Sequence, residues 1–157
     1  MAKLKFGIIG CGAIAANSFA PSLRNSEEAE LVAVCRRDKE QARAFAEKFG
    51  GCAHYGSAGE LLADDNVEAV IVATPTDTHR DYTVLAAGRG KHVICEKPMA
   101  RDAAECRQMI EACQNGGVKL GVAYRRRLFP QVLKAKALIA EGHIGRVVCV
   151  RTHYSGW

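Results

Sequence analysis

Two patterns of apolar residues alternate along the chain. Short runs rich in valine, isoleucine and alanine predict strands around Leu4, Phe6, Ile8 and Ile9, then at Glu30–Cys35, Ala69–Ala73, His92–Cys95, Val118–Ala123 and Val147–His153. Between them, apolar residues recur at helical spacing: Ala16, Phe19, Ala20 and Leu23; then Ala42, Phe45, Ala46 and Phe49; then Tyr82, Leu85 and Ala86; then Cys106, Met109, Ile110 and Cys113. Helix starts are marked by Asp38 with Gln41, Ser57 with Glu60, Asp77, and Asp102 with Glu105. Helix ends are marked by Gly50-Gly51, Gly88 with Gly90, and Gly116-Gly117. Pro21 is expected to shorten or kink the first helix, and a last helix is expected from about Pro130 to Glu141. Strands that alternate with helices, the run at Ala69–Ala73 being apolar throughout, predict an α/β class: a doubly wound parallel sheet covered on both faces.

The first strand runs straight into Gly10-Cys11-Gly12-Ala13-Ile14-Ala15, and the spacing Gly10-x-Gly12-x-x-Ala15 is the fingerprint of a dinucleotide-binding turn. In that reading Gly10 permits the tight turn, Gly12 keeps side chains away from the pyrophosphate, and Ala15 lets helix and strand approach. The helix N-terminus that follows offers unpaired N–H groups and a partial positive charge to phosphates. Ligands of such sheets lie beyond the carboxyl ends of the strands. After the second strand, where a carboxylate would hold the ribose hydroxyls of NAD, stand Arg36 and Arg37. A guanidinium pairs with a 2′-phosphate and offers no acceptor to a hydroxyl. One such contact contributes about 1.5–3 kcal/mol, so NADP is the expected cofactor, with NAD possible and Asp38 left as the nearby carboxylate. Thr74-Pro75-Thr76 follows the run at Ala69–Ala73, and Glu96-Lys97-Pro98 follows His92–Cys95. A lysine there can donate to a substrate oxygen during hydride transfer.

Size and composition narrow the classes. The chain of 157 residues, 48% hydrophobic and 25% charged, suits one soluble domain, and a net charge of +5 without an aromatic-laced basic stripe does not suggest nucleic acid. No apolar run reaches bilayer length and Met1–Lys5 carries no signal pattern, so a cytoplasmic protein with no membrane partner is expected. Seven dispersed cysteines and five dispersed histidines predict buried reduced thiols and no metal site.

Taken together, Gly7 to Ala15, Ala73-Thr74-Pro75-Thr76 with His79, Ala87-Gly88 through Lys91-His92-Val93, Glu96-Lys97-Pro98, and Tyr124-Arg125-Arg126-Arg127 followed by Ile144-Gly145-Arg146 resemble the glucose-fructose oxidoreductase and inositol dehydrogenase family of NAD(P)-dependent oxidoreductases. The resemblance implies a Rossmann domain over residues 1–123. It implies that residues 124–157 are a connecting helix and the first strand of a second, substrate-binding domain otherwise missing from this chain. Lys97 would be catalytic, with Glu96 helping to hold it. Gly10, Cys11, Gly12, Ala13, Ile14, Arg36, Arg37, Thr74, Pro75, Thr76, His79, Glu96 and Arg125 would line the cofactor site. Members with arginine where Arg37 lies tend to use NADP. Arg125 departs from the smaller amide that many members carry. In the family, an aspartate and a histidine of the second domain act with the lysine, and this chain contains neither. The expected activity is hydride transfer between nicotinamide and a sugar, polyol or related compound, with a homo-oligomer as the full-length form. A non-catalytic NADP-binding sensor, an inactive fragment and a methyltransferase with the same glycine turn are the alternatives.

Overall fold

The period-two alternation of the strands sorts their side chains into two apolar layers, one on each face of a six-stranded sheet. In the computed structural model, which describes residues 2–153, the strands are β1 (Leu4–Ile9), β2 (Ala29–Cys35), β3 (Ala53–Tyr55), β4 (Ala69–Val72), β5 (His92–Cys95) and β6 (Leu120–Val122). All neighbouring pairs are parallel, and the order is β3-β2-β1-β4-β5-β6. Phe6, Ile8, Val34, Ala69 and Ile71 face one layer, completed by Ala15, Ala20 and Leu23 and by Phe45 and Ala46. Ile9, Ala33, Val70, Val72 and Val93 face the other, against Leu61, Leu62, Ala86, Ala87, Met109 and Cys113. Gly7 belongs in this second layer because a side chain there would collide with the buried Leu61, 2.8 Å from its Cβ position. Strand order and layering together are those of the Rossmann fold.

The helices are α1 (Ala20–Arg24), α2 (Lys39–Lys48), α3 (Ala58–Leu62), α4 (His79–Gly88) and α5 (Ala103–Asn115). A π-helical turn, Ala15–Phe19, leads directly into α1. Proline lacks the N–H that an α-helix needs at its position, and the chain widens by one residue just ahead of Pro21, with the Ala20 N–H reaching Ala15 O. The expected helical face survives this. Asp38, Ser57 and Asp102 all accept from the backbone N–H three residues on, as the capping pattern predicts. Asp77 does not cap α4. It lies within a 3₁₀ turn, Thr76–Thr78, and α4 begins with no side-chain cap.

Two faces differ from expectation. On α4 the buried residues are His79, Thr83, Ala86 and Ala87, and Leu85 is 41% exposed. On α5, Met109 and Cys113 are buried while Ile110 is 43% exposed. Both helices end on small residues packed closely: a Cβ on Gly116 would lie 2.6 Å from the Ala87 carbonyl oxygen. That contact sets which turns of each helix face inward. β3, three half-buried residues at the sheet edge, is a strand the apolar pattern passes over.

Residues 2–123 form one compact unit, and the described residues from Tyr124 onward form a second. The second holds a 3₁₀ turn, Arg125–Leu128, and the helix α6, Pro130–Ala140. Val147–His153 is not a strand. A strand is held by its ladder, and among the described residues these seven have no neighbour to pair with. The remainder of the expected 124–157 segment lies outside the described residues, as does Met1. Among the described residues no helix is long and apolar enough to cross a membrane.

The loop that follows β5 is anchored through Glu105, a carboxylate only 7% exposed on the first turn of α5. It accepts from the Arg101 backbone N–H at 3.1 Å, from Arg101 Nε at 2.9 Å, and from Arg101 Nη2. These hydrogen bonds hold Glu105 below its ordinary value of 4.5. A carboxyl with a depressed native pKa contributes stability that is present above the ordinary value and lost as pH falls through the native one. Glu105→Gln is therefore expected to lower the urea midpoint at pH 7, with a deficit that shrinks progressively as pH falls below the ordinary carboxylate range. A deficit that stays constant as pH falls would contradict this account of the anchor.

Candidate dinucleotide site

The carboxyl ends of β1 to β4 open onto a cleft of about 780 Å³, at the point where the strand order reverses between β1 and β4. Gly10 turns the chain at the end of β1 with φ +100°, a left-handed conformation that costs a side-chain-bearing residue about 1–3 kcal/mol. A Cβ there would also lie 2.8 Å from the Ala73 carbonyl oxygen and 2.9 Å from Thr74 Cγ2. Only glycine lets the turn lie against the end of β4. Gly12 differs: a Cβ on it would meet nothing within 4 Å. Nothing inside the protein demands glycine at position 12, whereas a ligand lying across the turn would. That unfilled space is where the fingerprint places a pyrophosphate.

Around this turn the structure gathers Gly10, Cys11, Gly12, Arg36, Arg37, Thr74 and Pro75 as cleft lining. The turn is tied to β2, with the Gly10 N–H donating to Cys35 O at 3.0 Å and Cys11 Sγ to the same oxygen at 3.4 Å. Burial pushes the Cys11 thiol up to about 11, against the opposing pull of the Arg36 charge, and pushes Cys35 up to about 12. Both thiols therefore stay protonated near neutrality and serve as packing, not as nucleophiles. The two arginines have different duties. Arg36 Nη1 donates to the Cys11 carbonyl at 3.3 Å and braces the turn. Arg37 is exposed at the rim and has no hydrogen-bond or ion-pair partner among the described residues.

The carboxylate beside them is already employed. Asp38 Oδ1 accepts from the Gln41 N–H at 3.1 Å and Oδ2 from Gln41 Nε2 at 2.6 Å, and these bonds hold its carboxyl below the usual range. It caps α2 and has less acceptor capacity left for a ribose. The opposite wall is the turn after β4, where Thr78 Oγ1 lies 2.8 Å from Thr74 Oγ1 and 2.7 Å from the Pro75 carbonyl oxygen.

The remaining expected residues lie elsewhere. Ala13 and Ile14 are exposed where the helical segment opens, outside the lining, and Thr76 is half-buried beside it. Glu96 Oε2 accepts from the Lys97 backbone N–H at 2.9 Å, so the glutamate engages the lysine's main chain. The Lys97 ammonium is exposed, just beyond the end of β5 and next to β4 in the sheet. Arg125 is exposed and belongs to the second unit. His79 does not fit a cofactor contact: its ring is 1% exposed, with Nε2 2.9 Å from Thr74 O and Nδ1 3.0 Å from Pro98 O. The periodic pattern missed as cleft lining Ser57 and Gly59, which bring the loop after β3 into the cleft, and the half-buried Tyr82 and exposed Leu85 of α4. The signal for the first pair was Gly56-Ser57-Ala58-Gly59 at a strand's carboxyl end, concealed because the strand itself was overlooked.

Known proteins share this arrangement. Residues 4–124 match the family model described as an oxidoreductase family with an NAD-binding Rossmann fold. The chain is 38% identical over 152 residues to D-xylose 1-dehydrogenase (NADP(+)) 2 of Haloferax volcanii, a match covering 97% of this chain and 46% of the relative. Among solved structures, the WlbA dehydrogenase from Bordetella pertussis, in complex with NADH and UDP-GlcNAcA, superposes with a TM-score of 0.85 at 32% identity. That match covers 92% of this chain and 44% of the other. KijD10, a 3-ketoreductase from Actinomadura kijaniata in complex with TDP-benzene and NADP, superposes with a TM-score of 0.84 at 30% identity, covering 92% and 45%. The chain thus spans about half the length of the relatives it matches. On the family match, the strand order and the glycine turn, the chain belongs to the GFO/IDH/MocA oxidoreductase family, and residues 4–124 are its NAD-binding Rossmann domain.

Proposed function

We propose that this domain binds NADP in preference to NAD and presents it to a sugar, polyol or related hydroxyl or carbonyl substrate. The observation that carries the cofactor preference is the unpartnered Arg37 beside an Asp38 already engaged as a helix cap. The preference for a 2′-phosphate then has a donor ready and the competing ribose acceptor occupied. The glycine turn and the cap-free amides beyond it would take the pyrophosphate, with Arg36 holding the turn through the Cys11 carbonyl. Ser57, Thr74 and Thr78 supply hydroxyls along the cleft.

When bound, the nicotinamide supplies or accepts the hydride. Lys97 is the group of this chain suited to the accompanying proton. Its ammonium donates a proton to a carbonyl oxygen as negative charge develops there, and in the reverse direction the neutral amine accepts the hydroxyl proton as the hydride leaves the carbon. Glu96 fixes the lysine's backbone by accepting its N–H. Relatives named as dehydrogenases and reductases favour this reading over a silent sensor module, and the family match sets aside a methyltransferase. We read residues 124–157 as the start of a substrate-binding domain and the full-length form as a homo-oligomer. The relatives' greater length supports the first reading, and the exposed Leu128, Val148 and Val150 offer apolar surface that either a further domain or a second copy would cover. Free cysteines throughout the described residues support a cytoplasmic location.

Arg37→Ala should weaken NADPH binding by about ten- to a hundredfold in calorimetric titration while leaving NADH nearly unchanged. Equal losses for both cofactors would refute the phosphate role. The two glycines should separate folding from binding. Gly12→Ala is expected to keep stability within about 0.5 kcal/mol and to lose at least about tenfold in NADPH affinity. Gly10→Ala should lose stability itself, by about 1–3 kcal/mol from the backbone alone, in urea unfolding. A Gly12→Ala protein that binds NADPH normally would remove the pyrophosphate from that turn.

A further inference from the structure

His79 is buried on the first turn of α4, and its two ring nitrogens face in different directions toward backbone carbonyls. Nε2 lies 2.9 Å from the oxygen of Thr74, on the turn that lines the cleft, and Nδ1 lies 3.0 Å from the oxygen of Pro98, the residue after Lys97. Among the described residues, no other hydrogen bond joins the turn 74–78 to the loop 96–101. Apart from the charge attraction between Asp77 and Arg101, the other restraints on each segment are internal or run elsewhere. Thr78 braces Thr74 and Pro75, Cys95 Sγ donates to Met99 O at 3.7 Å, and Arg101 is held by Glu105. A buried imidazole with no wider role is satisfied by any nearby acceptors. This one lies between the two segments that carry the cleft wall and the ammonium: with one ring proton it donates to one of the two carbonyls, and with two it donates to both.

We infer that His79 is a positioning residue that sets the spacing between the Thr74-Pro75 wall of the cofactor cleft and the loop bearing Lys97. This rests on the reading of the cleft and Lys97 as the two halves of one nucleotide site. The adenosine half would be bounded by the glycine turn and Arg37, which His79 does not touch. The nicotinamide half would lie toward Lys97, whose loop His79 holds. Loss of the clamp should therefore affect the two halves unequally.

The test compares NADPH with adenosine 2′,5′-bisphosphate, a probe of the adenosine half alone, in the unaltered chain, His79→Gln and His79→Asn. Glutamine places its amide N–H near the Nε2 position, facing the Thr74 oxygen and leaving Pro98 without a ring contact. Asparagine places its amide N–H near the Nδ1 position, facing the Pro98 oxygen and leaving Thr74 without one. In both variants NADPH affinity is expected to fall by about tenfold, the equivalent of one hydrogen bond's worth of positioning, while bisphosphate affinity stays unchanged. Equal losses for the two ligands, or normal NADPH binding by a folded variant, would overturn the clamp. An unaltered chain that binds neither ligand would instead overturn the nucleotide reading, and the clamp with it. A readout that needs no variant is the imidazole N–H of His79. A slowly exchanging ring proton in ¹H–¹⁵N spectra is expected of a buried donor to a carbonyl, and its absence would overturn the assignment.

Discussion

The close approach of the Gly10 backbone to the end of β4 is the constraint on which the site depends. With no side chain at Gly10, the turn after β1 settles against Ala73 and Thr74; any Cβ would press on the Ala73 carbonyl oxygen at 2.8 Å. The contact falls at the one place in the sheet where the strand order reverses, so loops from β1, β2 and β3 diverge from those of β4 and β5 and leave a crevice between them. Everything that reads as chemistry lies along that crevice or at its edge. The core beneath is ordinary: two apolar layers, sorted by strand alternation, that hold the rim rigid without contributing to it.

Around the crevice, neighbouring residues of the same charge or type have been given separate tasks. Arg36 is spent on the Cys11 carbonyl and Arg37 is left open to the rim. Asp38, the residue best placed to take a ribose, is drawn into capping α2. Of the two glycines, one answers to the fold and the other to something outside it. These divisions underlie the proposed preference for a phosphorylated cofactor, and they follow from hydrogen bonds and free space, not from the residue types alone.

Much of this was legible in the sequence. The glycine spacing located the turn, the strand runs located five of the six strands, and three of the four expected caps form as written because a short polar side chain before a helical run has few better uses. What was not legible depends on partners distant in sequence. β3 is too short to show a pattern and exists through its pairing with β2. Leu85 and Ile110 face outward because the contact of Gly116 with Ala87 sets how α4 and α5 meet. Val147–His153 has a strand's composition and no ladder. His79 has a motif position that suggests ligand contact, yet its burial assigns it to the protein's own backbone.

The central claim is that a pyridine dinucleotide lies across the carboxyl rim of the sheet, from the glycine turn and Arg37 toward Lys97. Titration of the ¹⁵N-labelled chain with NADPH, followed by amide chemical shifts, tests it most directly. The account predicts saturable shifts at Gly10, Cys11 and Gly12, at Arg37, at Thr74 and at Lys97, with the sheet's amino-terminal edge unchanged. Shifts absent from the glycine turn, or confined to other surfaces, would contradict it.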